Sequence, residues 1–111
     1  MPRRQELESS ITKKTVRLLK ERWPGSKIVK IHGGPFQEKG LPDLHITLAP
    51  YGLSVWIEMK RPGRDAEPIQ KRRIKEFIRA GGISFVATSP KEAEVGVRKA
   101  LSQWKKKHGV K

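Results

Sequence analysis

Residues 43–60 read Asp-Leu-His-Ile-Thr-Leu-Ala-Pro-Tyr-Gly-Leu-Ser-Val-Trp-Ile-Glu-Met-Lys. Two alternating runs, Asp43–Leu48 and Leu53–Met59, flank Ala49-Pro50-Tyr51-Gly52, which has the composition of a four-residue hairpin loop. Closing that loop symmetrically sets Leu48 against Leu53, Ile46 against Val55 and Leu44 against Ile57, so one face is apolar throughout. The other face pairs Thr47 with Ser54, His45 with Trp56 and Asp43 with Glu58. A slip of one residue would mix the two faces, so the hydrophobic pattern itself specifies the register.

That register brings two acids together. Directly opposed residues have Cβ atoms about 5 Å apart, and two carboxylates at that distance repel by roughly 3 kcal/mol at an effective dielectric of 20. A fold tolerates the pair if one carboxyl keeps its proton or a cation lies between them. Lys60 shares the face of Glu58, because strand side chains repeat every two residues. Two acids and a lysine at one end of a hairpin suit a hard divalent cation such as Mg²⁺, which takes carboxylate oxygens and keeps several waters. The alternative is a hairpin end open to solvent, with Lys60 neutralising one acid.

Outward from the hairpin, residues 6–22 read as a first helix, with Leu7, Ile11, Val16, Leu18 and Leu19 on about half of its circumference. Glu8 falls within that apolar arc, where a carboxylate is costly unless paired or metal-bound, although near a helix start it also complements the dipole. Glu6 falls on the far side, free to face water. Pro24-Gly25 stops the helix, and residues 27–32 read as a strand. Residues 33–40, with three glycines and a proline, form a loop; His32 at its edge is placed to line a cleft.

Asp65-Ala66-Glu67-Pro68 opens a second helix running to Ala80, with Ile74, Phe77 and Ile78 as its core stripe and Gly81-Gly82 at its end. Gln70 lies on that stripe, either as part of a site or capping its own first turn. Residues 83–88 form a further strand. Ser89-Pro90-Lys91-Glu92 is a capping box for a third helix whose inner face is Ala93, Val97, Leu101 and Trp104. Residues 105–111 form a basic tail expected to fray. The order α-β-β-β-α-β-α describes one α/β domain over residues 1–111, with a core of about 6–104.

Composition narrows the function. The 111 residues carry 25 Lys and Arg against 11 Asp and Glu, a net charge of +14. That is the electrostatic signature of a nucleic-acid binder, while an anionic membrane surface is disfavoured by the lack of a basic amphipathic helix with a Trp/Leu insertion face. Zero cysteines exclude a disulfide scaffold and thiolate metal sites. No apolar run approaches the roughly 18 residues of a membrane span. The opening Met-Pro-Arg-Arg-Gln-Glu lacks the apolar segment of a secretory signal, so a soluble cytoplasmic protein is expected.

Five groups of residues carry a resemblance. Gly33-Gly34-Pro35-Phe36, Gly40-Leu41-Pro42-Asp43-Leu44, Ile57-Glu58-Met59-Lys60, Pro68 with Gln70, and Ala80-Gly81-Gly82 occur in the order found in the VRR-NUC (virus-type replication-repair nuclease) domain of the PD-(D/E)XK superfamily. The first helix, from Glu8 through Ile11, Thr12, Thr15, Val16 and Leu19, also resembles the opening helix of that family. The resemblance spans about residues 8–97. It implies a restriction-endonuclease-like fold, a mixed sheet flanked by helices, and a Mg²⁺- or Mn²⁺-dependent endodeoxyribonuclease. By similarity Asp43, Glu58 and the backbone carbonyl of Met59 ligate the metal, and Lys60 orients or helps deprotonate the attacking water. Glu8 and Gln70 position water or substrate. No organic cofactor is implied. Stand-alone domains of this kind resemble homodimers that cut branched DNA such as four-way junctions, and a two-fold dimer matches a junction's symmetry.

The basic residues Arg61, Arg64, Lys71, Arg72, Lys75 and Arg79 are candidates for phosphate contacts rather than base readout, or form an ordinary solvated face. A restriction-type or flap-type nuclease, and a non-catalytic nucleic-acid-binding protein, are the competing readings. The last explains the charge but not the opposed acids.

Overall fold

The computed structural model describes residues 4–111, with side chains described from Leu7 onward. The elements run α1 (Arg4–Arg22), β1 (Lys27–Lys30), β2 (Leu44–Leu48), β3 (Leu53–Met59), α2 (Pro68–Arg79), β4 (Ile83–Ala87) and α3 (Pro90–His108). The hairpin has the register required by its apolar pattern: Leu44 faces Ile57, His45 Trp56, Ile46 Val55, Thr47 Ser54 and Leu48 Leu53. Antiparallel β1 joins the outer side of β2, and β4 lies parallel to β3, giving a mixed sheet in the order β1-β2-β3-β4. The parallel pairing requires a crossover, and α2 supplies it.

The apolar side of the sheet is covered by α1 and α3, which pack on each other. Leu44, Ile46, Leu48, Val55, Ile57 and Met59 meet Leu19, Ala93, Val97 and Leu101 there, all buried. On the opposite side, Trp56 is sandwiched between His45 and Phe77 of α2, with ring centroids 4.3 and 4.4 Å away. The α3 start is capped as its sequence indicates: the Ser89 hydroxyl accepts from the Glu92 N–H at 3.0 Å. The Glu92 carboxylate reaches one residue further back than a standard capping box and accepts from the Thr88 N–H and hydroxyl.

Four expectations change. β1 ends at Lys30 rather than residue 32, because only one further bond, from the Ile31 N–H to the Asp43 carbonyl at 2.7 Å, continues the pairing before the glycine-rich loop. Leu7 is exposed, and the buried α1 face instead holds Thr12 and Thr15. Their hydroxyls donate to the Glu8 and Ile11 carbonyls, which satisfies them without leaving the helix. Ile78 is 54% exposed, because α2 turns its Phe77 side to the sheet. The tail does not fray at residue 105: α3 continues to His108, whose ring stacks on Trp104 and donates from Nδ1 to the Trp104 carbonyl. Trp104 in turn packs edge-on against Tyr51, which Lys105 also covers.

The loop leading into β2 is seated on α2 through Gly40. Its φ is +83°, and a Cβ there would lie 2.8 Å from Ile69 Cγ1 and 3.0 Å from the Ile69 backbone. Gly40→Ala is expected to destabilise the protein by about 2–4 kcal/mol, combining left-handed strain with overpacking. Gly63→Ala, at a similar φ but with open space around it, should cost only the conformational part, about 1–2 kcal/mol. Urea denaturation compares the two, and an unshifted midpoint for Gly40→Ala would show that α2 does not rest on this loop.

Candidate active site

The candidate side chains come from separate parts of the fold: Glu8 from α1, Asp43 from the entry to β2, Glu58 and Lys60 from β3 and its end, and Gln70 from α2. Pro42 is fully buried at the entry to β2, and Asp43 beside it accepts the Met59 N–H on Oδ2 at 2.8 Å. Glu58, on the sheet face opposite the core, is only 1% exposed. Its Oε2 accepts from Gln70 Nε2 at 2.9 Å and pairs with Lys60 Nζ at 3.4 Å. Its Oε1 is buried with no hydrogen-bond partner. Gln70 caps α2, its Oε1 accepting the Glu67 N–H at 2.8 Å, while its amide nitrogen bonds Glu58. Glu8 is half-buried and lines a cleft of about 170 Å³ with Thr12, Lys30, Asp43 and Met59. The side chain of Glu6 lies outside the described residues.

The electrostatics follow from this packing. Burial raises the Asp43 carboxyl above its usual range, and Glu8 adds to the rise. The Met59 N–H, Glu58 and Lys60 oppose it. Glu58 is pushed up to about 8, first by burial and then by the Asp43 charge, with Lys60 pulling the other way.

No family model matches the chain, and no curated protein matches it. Solved structures do. One described as a VRR_NUC domain superposes with a TM-score of 0.66 at 26% identity, covering 83% of this chain and 95% of that one. A second, described as a VRR_NUC domain protein, gives a TM-score of 0.63 at 21% identity, covering 84% of this chain and 86% of that one. The chain is a structural homologue of the VRR_NUC domain. Its mixed α/β architecture and its order of strands and helices match the PD-(D/E)XK-like plan, as the resemblance implied.

No group of three or more His, Cys, Asp or Glu side chains able to hold a metal occurs among the described residues. The donor set that is present is the opposed Asp43 and Glu58, with one orphaned buried carboxylate oxygen aimed at neither Gln70 nor Lys60. Two carboxylates are what Mg²⁺ takes from a protein while retaining its own waters, so these residues fit such an ion.

The candidate basic residues fall outside this centre. Lys71, Arg72, Lys75 and Arg79 line a groove along the outer face of α2, and Lys71 is held by Asp65 at 2.8 Å. Arg61 and Arg64 lie in the connection between β3 and α2, joined by a turn bond from the Arg64 N–H to the Arg61 carbonyl. His32 is exposed, and His45 packs on Trp56 and bonds Ser54. Two residues escaped the sequence. Lys30 enters the Glu8–Asp43 cleft from the end of β1, legible only once Lys30 is known to face Leu44. Arg73 of α2, 15% exposed, donates from Nε to the Lys39 carbonyl at 2.9 Å and pairs with Glu38 and Glu76; its spacing carried no signal.

Because Glu58 binds its proton more tightly folded than unfolded, its contribution falls as pH rises from the ordinary carboxylate range to about 8. In EDTA, Glu58→Gln should therefore raise Tm by several degrees at pH 8.5 relative to wild type and by much less at pH 4.5. An equal shift at both pH values would show that Glu58 titrates normally.

Proposed function

We propose that this chain is a metal-dependent, structure-selective DNA endonuclease that hydrolyses phosphodiester bonds in branched DNA. The observation that carries the reading is the buried Glu58 beside half-buried Asp43, with Lys60 on the same face and an unpartnered Glu58 oxygen. Packing two carboxyl groups together at such a position is costly to a fold that makes no use of them. The net charge of +14 supplies the attraction for the substrate.

Asp43, Glu58 and the Met59 carbonyl would hold Mg²⁺ or Mn²⁺, and Glu8 would reach it through water. When bound, such an ion polarises a phosphoryl oxygen and makes water a better nucleophile. The remaining work belongs to the chain. Lys60, fixed by Glu58, orients the attacking water or takes up its proton and offsets charge developing on the phosphate. Gln70 keeps Glu58 oriented while capping α2, so the helix and the acid move together. Arg61, Arg64, Lys71, Arg72 and Lys75 grip phosphates on either side, which positions the strand without reading bases.

The substrate choice and assembly belong to the same proposal. A four-way junction presents two strands related by near two-fold symmetry, and a homodimer would offer each one a centre. Among the described residues, no helix is long and apolar enough to cross a membrane; we place the activity in the cytoplasm, where such DNA is met.

A labelled panel of single strand, duplex, flap and four-way junction, with Mg²⁺, Mn²⁺ or EDTA, tests the reading. Paired cuts confined to the junction and abolished by EDTA are expected. Asp43→Ala and Lys60→Ala should each lower cleavage by about 10²–10³-fold or more with junction affinity nearly unchanged. Glu8→Ala and Gln70→Ala should cost about 10–100-fold. Near-wild-type cutting by Asp43→Ala or Lys60→Ala would remove the site assignment. Tight, salt-sensitive binding without cutting under any metal would leave a non-catalytic nucleic-acid binder.

A further inference from the structure

Phe36 is the extreme case among the exposed apolar side chains of the described residues. It is 99% exposed, where Ile78 is 54% exposed and Leu7 39%. It occupies the third position of a β-turn closed by the Gln37 N–H and the Gly34 carbonyl at 3.1 Å, with Pro35 before it. Gly33 and Gly34, which lead into the turn, have nothing within 4 Å of where a Cβ would be, so the space on that side is open.

The turn is also held. Arg73 bonds the Lys39 carbonyl and pairs with Glu38 at 3.3 Å, and Gly40 sits against Ile69, so the loop is fastened to α2 at its second end. Its other end runs straight out of β1. Finally, the loop has a direction. A cleft of about 420 Å³ is walled by Gly33, Gly34, Gln37 and Lys39 and runs to Asp43. The turn that carries Phe36 therefore borders, through its neighbours Pro35 and Gln37, a cleft that Asp43 also lines.

We infer that Phe36 is a base-stacking contact of the DNA substrate, taking an unpaired or unstacked base next to the phosphate that enters the Asp43 cleft. This rests on the nuclease reading for the identity of the ligand. A nucleobase fits because every base offers a planar face to an aromatic ring, and stacking needs no hydrogen-bond partners beside it. The chain's net charge of +14 attracts a polyanion such as DNA. Selection for branched DNA then has a physical source in this chain: bases at a branch or gap are available for stacking, whereas those inside a continuous duplex are not.

The test is binding, measured in EDTA so that no cleavage intervenes. Fluorescence anisotropy compares a blunt duplex with a branched duplex carrying a short single-stranded gap at the branch. Phe36→Ala should weaken binding to the gapped branch by about tenfold or more and change blunt-duplex affinity by less than twofold. Phe36→Trp should restore the gapped-branch affinity, and Phe36→Leu should behave like the alanine variant. Because the ring touches nothing in the protein, all three variants should melt at the wild-type temperature. Equal losses on both DNAs, no loss on either, or full restoration by leucine would each overturn the stacking role. Metal-dependent cleavage by the wild-type protein is scored separately: if it cuts nothing, the nuclease reading fails while the binding comparison still decides Phe36.

Discussion

A carboxyl group buried beside another carboxyl is the constraint around which this small domain is organised. Glu58 is almost inaccessible to water, faces Asp43, and is pushed up to about 8 as a result. Such a group is unfavourable by itself, so the fold surrounds it with compensation: Lys60 on the same strand, the Gln70 amide from α2, and the Met59 N–H that fixes its neighbour Asp43. Among the described residues, Glu58 Oε1 has no hydrogen-bond partner. The hairpin pairing that forces the two acids together is in turn held by six apolar residues on the other side of the same two strands.

The second helix links this centre to the surface. Through Gln70 it touches Glu58, through Phe77 it closes over Trp56, and through Arg73 and Ile69 it carries the glycine-rich loop. The loop returns to the sheet at Pro42 and Asp43, so α2 contacts both ends of the path from exposed turn to buried acids. Its outer face, lined by Lys71, Arg72, Lys75 and Arg79, adds positive charge along the same helix. One element thus orders a buried carboxyl, seats a loop and presents a basic surface.

Legibility in the sequence varied with the physics behind each signal. The hairpin was readable to the residue because its period of two separates an apolar from a polar face, and a slip would expose that error everywhere at once. Helical stripes were less certain: Leu7 and Ile78 fit an apolar arc yet lie exposed, since a stripe shows which side is apolar but not how far the partner surface extends. Residues 105–111 look like a solvated tail by composition, but α3 persists to His108 because Trp104 and Tyr51 meet across the fold. The clefts joining Lys30 to Glu8, and the loop clamp of Arg73, combine residues far apart in the chain, and no local pattern encodes them.

The amino-acid sequence by itself determined the alternation that closes the hairpin, the opposition of Asp43 and Glu58, the position of Lys60 and the excess of positive charge, because strand periodicity and charge are local properties of the chain. The tertiary structure decided that Glu58 is buried with an oxygen left unpartnered among the described residues, that Gln70 caps its helix and bonds Glu58 at once, and that Phe36 stands exposed on a turn bordering the Asp43 cleft. Burial, shared hydrogen bonds and cleft walls depend on what packs from elsewhere in the chain, and that information exists only once the helices have closed on the sheet.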